Sequence, residues 1–297
     1  MNYEELLKKR IPPSRKKVAV AAAEDEVVLS TVCKAYEFGV AEPILCGDRV
    51  KIEALAKKYG LDISSFEVFH TTNGVESAEL AVSLVKQRKA DMLMKGLLQT
   101  ADLLRAVLNK ENGLRGGGVL SHVSVLHSPI LDRMLLLTDA AMVTYPDLKI
   151  KAEMIRNAVI AAKGLDIENP KVAVLAAVET VNPEMQATLD AAGLTVMNRR
   201  GQIRDCVIDG PLAMDLALSE DAAKHKGVVS EVAGAADILL FNNIDAANSA
   251  LKVFTVAGNC FFGGIVMGAT APIVLTSRSD TEQSKLYSIA CAASVSC

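Results

Sequence analysis

Apolar and polar positions along this chain switch repeatedly between a short unbroken run and a helical period. Residues 18–22 form a small apolar run held between Lys16-Lys17 and Glu24-Asp25-Glu26, the pattern of a buried strand. Residues 26–38 then carry apolar side chains at helical spacing until Gly39, a glycine stop. The same pair recurs as a strand at 42–46 with a helix at 50–59 ended by Gly60, a strand at 66–70 with a helix at 77–87, and a strand at 92–94 with a helix at 101–109. Past a loop holding Gly116-Gly117-Gly118, further strands are predicted at 119–125, 134–138, 172–176, 238–241 and 273–275. Helices are predicted at 149–162, 183–192, 214–218 and 251–256. A last one spans 281–295, where Leu286, Ile289, Ala290 and Ala293 share a face and Ser279 or Asp280 can cap the start. Such alternation predicts an α/β protein with mainly parallel sheets covered by helices, and ligands at the carboxyl ends of strands.

Composition narrows the class. The chain has 297 residues, 51% of them hydrophobic and only 4% aromatic, without tryptophan, which suits closely packed parallel strands buried on both faces. Net charge is −3, and no run of like charges asks for nucleic acid. The six cysteines form no CxxC pair, so a reduced, cytoplasmic protein without a thiolate metal site is expected. No stretch reaches 18 uninterrupted apolar residues, and no membrane partner is expected. A turn at Thr144-Tyr145-Pro146-Asp147 marks a domain boundary, giving a first domain from 1–145 and a second that begins at 146.

Chemistry concentrates at strand ends. Ser277 and Arg278 leave the strand at 273–275 just before the last helix, where a hydroxyl, a guanidinium and free N–H groups can meet an oxyanion or phosphoryl group. Met94-Lys95-Gly96 runs through a turn into a helix with Thr100 near its start and Arg105 a turn further on, again groups suited to an anion. Lys95 is a second candidate cation for the same anion, although a strand-end lysine more often only faces solvent. Ser124 follows the glycine run inside a strand, with His122 and His127 as weaker candidates. Asp209-Gly210-Pro211 reads as a turn, Asp215 as a helix residue, and Asn242-Asn243 as a strand-end turn. No third carboxylate joins Asp209 and Asp215 to suggest a metal.

Taken in order, these segments resemble the phosphate acetyl/butyryl transferase family, closest to its phosphate butyryltransferase branch. Thr100-Ala-Asp-Leu-Leu-Arg105 is similar to the family's T-A-D-x-x-R-P element, with Ala106 in place of proline. His122-Val-Ser124 resembles its V-S-G element, and Asp209-Gly-Pro-Leu-Ala-Met-Asp215 its D-G-x-x-x-x-D. The run from Ala236 to Asn248 resembles A-x-x-L-x-F-P-D-L-x-x-x-N, and Ser277-Arg278 the family's catalytic pair. The resemblance implies two three-layer α/β/α domains arranged as in isocitrate and isopropylmalate dehydrogenases, with the active site in the interdomain cleft. It also returns residues 270–297 to the first domain and leaves 146–269 as the second, through which a homodimer or higher homo-oligomer forms.

The same resemblance implies reversible acyl transfer between coenzyme A and inorganic phosphate in a ternary complex, with acyl-CoA and phosphate as partners and no tightly bound cofactor. Ser277 and Arg278 would stabilise charge on the acyl carbonyl, while Thr100, Arg105 and Ser124 would hold phosphate. Acetyl-specific members carry an aspartate seven residues after the catalytic serine; this chain has Ser284 there. Asp280 is the nearest candidate base for the thiol, and Arg278 could instead lower the thiol pKa, which starts near ~8.5. Two rivals stand beside this reading. A dehydrogenase on the same fold would need an aspartate cluster that the sequence lacks; a catalytically silent acyl-CoA-binding regulator would not need Ser277, Arg278 and Arg105.

Overall fold

The structure, a computed structural model, describes residues 7–8, 11, 13–277 and 280–296. Contacts group the chain into two compact units, Met1–Gly118 with Gly263–Cys297, and Val119–Phe262.

In the first unit the strands are β1 (Lys16–Ala21), β2 (Ala41–Gly47), β3 (Glu67–His70), β4 (Met92–Lys95), β10 (Phe261–Met267) and β11 (Ile273–Val274). Their order is β3-β2-β1-β4-β11-β10. All neighbours are parallel except β10, which runs antiparallel to β11. The apolar runs of β1 and β4 are buried because helices cover them: Val18, Ala19, Val20, Met92, Leu93 and Met94 are all 0% exposed. Around them pack α1 (Glu26–Glu37), α2 (Arg49–Tyr59), α3 (Gly74–Lys86), α4 (Thr100–Val107) and, after β11, a helix over Glu282–Val295. Short polar side chains start these helices as expected of N-caps. Asp25 accepts from the Val28 amide, Asp48 from Val50 and Lys51, and Asn73 from Val75 and Glu76. Gly60 ends α2 at φ 66°, in the left-handed region where glycine costs least.

The second unit holds β5 (Ser121–Ser128), β6 (Arg133–Thr138), β7 (Lys171–Leu175), β8 (Val207–Leu212) and β9 (Ile238–Leu240), in the order β5-β6-β9-β7-β8. β5 and β6 form an antiparallel pair, and the remaining pairs are parallel. Its helices are α5 (Leu148–Gly164), α6 (Gln186–Arg199), α7 (Met214–Leu218), α8 (Glu220–His225) and α9 (Ile244–Val256), which makes Glu282–Val295 α10. Leu135, Leu137 and Leu239 point to one face and share a core with Leu216, Ala217, Ala223 and Leu251. The alternate residues Leu136 and Ile238 are equally buried, as period-two alternation demands of a sheet covered on both sides. Both units are thus α/β, as the periodicity anticipates.

Several boundaries differ from those expected. β5 and β6 group with the second unit, whereas the turn at Thr144-Tyr145-Pro146-Asp147 suggested a division after them; the cause is the pairing of β6 with β9. Asp209-Gly210-Pro211 is not a turn but the middle of β8, where Asp209 pairs with Ala173 and a register shift precedes the Leu212–Leu175 pair. β10 and α8 have no counterpart among the predicted elements, and α9 starts at Ile244 rather than 251 because Asn243 caps it, accepting from Ala246. Lys95 does not face solvent; it is 7% exposed.

Candidate active site

The register of the first unit places the carboxyl ends of three strands side by side. Val20 and Ala21 of β1 pair with Met94 and Lys95, and Ile273 and Val274 of β11 pair with Leu93 and Met94. After Lys95 the chain turns tightly: the Gly96 amide donates to Ala21 O at 2.8 Å and the Leu97 amide to Ala22 O at 2.7 Å. A Cβ on residue 96 would stand 2.1 Å from Ala22 O, so only glycine permits this approach. On the other side, Thr276 and Ser277 lead out of β11 toward α10. Between these ends lies a pocket of about 110 Å³ lined by Asp25, Lys95, Gly96, Thr276, Ser277 and Lys285 among others.

Its electrostatics favour an anion. Lys95 and Lys285 are 7% and 4% exposed, and one carboxylate, Asp25, lines the pocket with them. One Asp25 oxygen already accepts from the Val28 amide at 3.0 Å. Two ammonium groups in a partly water-excluded wall, faced by the Asp25 and Asp280 carboxylates, offer an anion charged donors that bulk water would otherwise screen. Burial lowers the Lys285 pKa from its ordinary value, while the Asp280 and Asp25 carboxylates act in the opposite direction. Lys285 Nζ donates to the Ser277 carbonyl at 2.6 Å, and the Ser277 amide donates to Asp280 Oδ2 at 2.7 Å. Arg278 and Ser279 lie outside the described residues. The cap of α10 is neither Ser279 nor Asp280 but Thr281, whose hydroxyl accepts from the Ser284 amide at 3.1 Å.

The other expected residues are placed as follows. Thr100 opens α4, whose cap position, Gln99, makes no side-chain hydrogen bond. Arg105 projects outward with 71% of its side chain exposed and donates to Asp102 at 2.7 Å. In the second unit Ser124 is fully enclosed in β5, its Oγ 3.3 Å from His122 Nδ1. The His122 amide donates to buried Asp139 at 2.7 Å. His127 is also buried, with Nε2 3.8 Å from Asp132. Asn242 ties elements together: its amide donates to Leu175 O at 2.6 Å and its carbonyl accepts from Lys151 Nζ at 3.0 Å. No group of three or more metal-ligating side chains occurs among the described residues, and no described helix is long and apolar enough to cross a membrane.

Sequence reasoning passed over Lys285 and discounted Lys95. A signal for Lys285 was present: it stands one helical turn before Ile289 and two before Ala293, on the face already read as buried. A lysine there must find polar partners.

The family model described as Phosphate acetyl/butaryl transferase matches residues 71–293, a span that includes Lys95, Ser277 and Lys285. The chain belongs to this phosphate acetyl/butaryl transferase family. Within the family, it is 51% identical to the phosphate butyryltransferase of Clostridium acetobutylicum over 99% of this chain and 98% of that one. It is 41% identical to the phosphate acetyltransferase of Thermotoga maritima, covering 94% of each. The crystal structure of a branched-chain phosphotransacylase from Enterococcus faecalis V583 superposes with a TM-score of 0.83 at 33% identity, covering 94% of this chain and 99% of the other.

Proposed function

We propose that this chain catalyses reversible transfer of a butyryl or branched short-chain acyl group between coenzyme A and inorganic phosphate, giving acyl phosphate. The observation that carries this reading is the 51% identity, over 99% of the chain, to a phosphate butyryltransferase. The lower identity to an acetyltransferase, 41% against 51%, supports an acyl group longer than acetyl. The anion-favouring pocket beside Ser277 supports the chemistry. Acyl transfer develops an oxyanion on the carbonyl and moves a phosphoryl group, and both need fixed donors and positive charge.

In this reading phosphate attacks the thioester carbonyl in a ternary complex, and the thiolate of coenzyme A leaves. Ser277 and Arg278 stabilise the tetrahedral oxyanion; Thr100 and Arg105 hold phosphate, while Ser124, fully enclosed in β5, presents no accessible hydroxyl to it. Arg105 exchanges its Asp102 partner for the more highly charged anion. One Asp280 oxygen is already engaged by the Ser277 amide, which favours an electropositive environment over a carboxylate base for keeping the thiol ionised in the reverse direction. The enzyme works as a cytoplasmic homodimer that holds no tightly bound cofactor.

Relative kcat/KM for acetyl-, butyryl-, isobutyryl- and isovaleryl-CoA tests the acyl assignment. One methylene contributes only about 1–3 kcal/mol to discrimination, so butyryl- or branched-chain CoA is expected to exceed acetyl-CoA by at least ~10-fold. An acetyl-CoA preference would overturn the assignment.

A further inference from the structure

Ser277 leaves β11 with both of its backbone polar groups taken by ionisable side chains. Its amide donates to Asp280 Oδ2 at 2.7 Å, and its carbonyl accepts from Lys285 Nζ at 2.6 Å and from the Asp280 amide at 3.2 Å. Lys285 belongs to α10 and is almost wholly buried, whereas Ser277 itself is exposed and lines the pocket. The base of α10 is in turn fastened to α1, since Glu282 accepts hydrogen bonds from Ser30 and Lys34. Beside the backbone bond from the Asp280 amide, the Ser277 backbone is therefore held by one carboxylate and one ammonium, the second anchored in a helix that is itself tied down.

We propose that Lys285 and Asp280 are positioning residues that hold the Ser277 carbonyl and amide and so set the direction of its hydroxyl. This rests on the reading of Ser277 and Arg278 as the groups that stabilise the transferred acyl carbonyl. Charge-assisted hydrogen bonds are stronger and shorter than neutral ones, so such a clamp holds the exposed Ser277 backbone more firmly than neutral partners would. A donor displaced by about 1 Å can lose ~10²-fold in rate while substrate affinity is kept. Lys285 lines the same pocket as Lys95, so it orders the loop without removing positive charge from the site.

The test compares the unmodified protein with Lys285→Met, Lys285→Ala, Asp280→Ala and Asp280→Asn, using butyryl-CoA and phosphate. Lys285→Met is expected to lower kcat by ~10- to 10²-fold, a larger change than in KM for butyryl-CoA. Propylammonium, which restores the missing atoms of Lys285→Ala, is expected to recover at least ~5-fold of the loss in a saturable manner. A kcat within twofold of the unmodified protein, or a loss that propylammonium leaves untouched, overturns the clamp. Should neither Lys285 variant fold, the Asp280 pair decides. Asp280→Asn keeps an acceptor for the Ser277 amide but no base, and is expected to retain at least ~10-fold more activity than Asp280→Ala. Equal loss in the two contradicts the clamp and marks Asp280 as a base. Absence of phosphate-dependent transfer in the unmodified protein would instead remove the functional reading itself, and the clamp with it.

Discussion

Charge and burial act on individual residues here in ways that separate reactive groups from inert ones. Burial pushes the thiols of Cys33 and Cys206 up to about 11 and that of Cys46 up to about 12, and raises Cys260 as well. All five described cysteines are buried. Thiolate is the nucleophile, so these five are expected to be silent to a disulfide reagent at pH 8 until the protein unfolds. Fast reaction of two or more thiols in the native protein, read by absorbance, would contradict their burial. The residues assigned to the acyl carbonyl make the opposite demand. Arg278→Ala is expected to reduce kcat by at least ~10²-fold, the scale of losing a preorganised donor; near-normal turnover would remove it from the site. Arg105→Ala is expected to raise the KM for phosphate, and unchanged phosphate kinetics would exclude it.

Elements differ in how openly their sequences declare them. The strands β1 and β4 were legible because strands buried on both faces read as unbroken apolar runs. β8 was not, since Asp209-Gly210-Pro211 has turn composition and becomes strand only through its pairing with β7. β10 escaped notice because Gly263 and Gly264 interrupt it. A Cβ at 263 would stand 3.0 Å from the Tyr287 ring, and the Gly264 amide donates to Ser288 at 2.9 Å. Those glycines answer to α10, distant in sequence, and no local pattern reveals that. The end of α10 illustrates an electrostatic tie between elements. Burial alone would raise the Glu282 pKa, but hydrogen bonds from Lys34 and Ser30 and the Lys34 charge bring it below the ordinary value. A carboxylate depressed in the folded state stabilises it above the unfolded pKa of ~4.3 and loses that contribution as pH falls through the folded value. Glu282→Gln is therefore expected to cost about 0.5–1 kcal/mol at pH 7 in urea unfolding, and the difference should vanish at lower pH. A difference that persists unchanged at pH 3 would contradict it. Deeper in the second unit, Lys151 of α5 and Asp190 of α6 form a buried pair at 2.6 Å, with Gln186 also donating to Asp190. Lys151→Met is expected to cost about 3–5 kcal/mol, because it strands a buried charge. Lys151→Met combined with Asp190→Leu should recover much of the loss, and an additive double variant would show that the two do not act as a pair.

At the scale of the whole molecule, the repeated strand-and-helix pattern was enough to give the fold class and to point to strand carboxyl ends. It also led to Ser277 as a pocket residue. It marked Lys285 as a lysine on a buried helix face but not its partner, because the Ser277 carbonyl meets it only when the helix is folded against β11. The functional conclusion concerns the chain as a whole, since the likeness to a phosphate butyryltransferase extends over 99% of it. The central claim is that phosphate is the acyl acceptor. It is tested most directly by following thiol release from butyryl-CoA with and without phosphate while trapping the product with hydroxylamine. The account predicts release that requires phosphate, matched by an equal amount of butyryl hydroxamate. Butyryl-CoA that binds but releases no thiol when phosphate is added would contradict it and favour a silent acyl-CoA-binding protein.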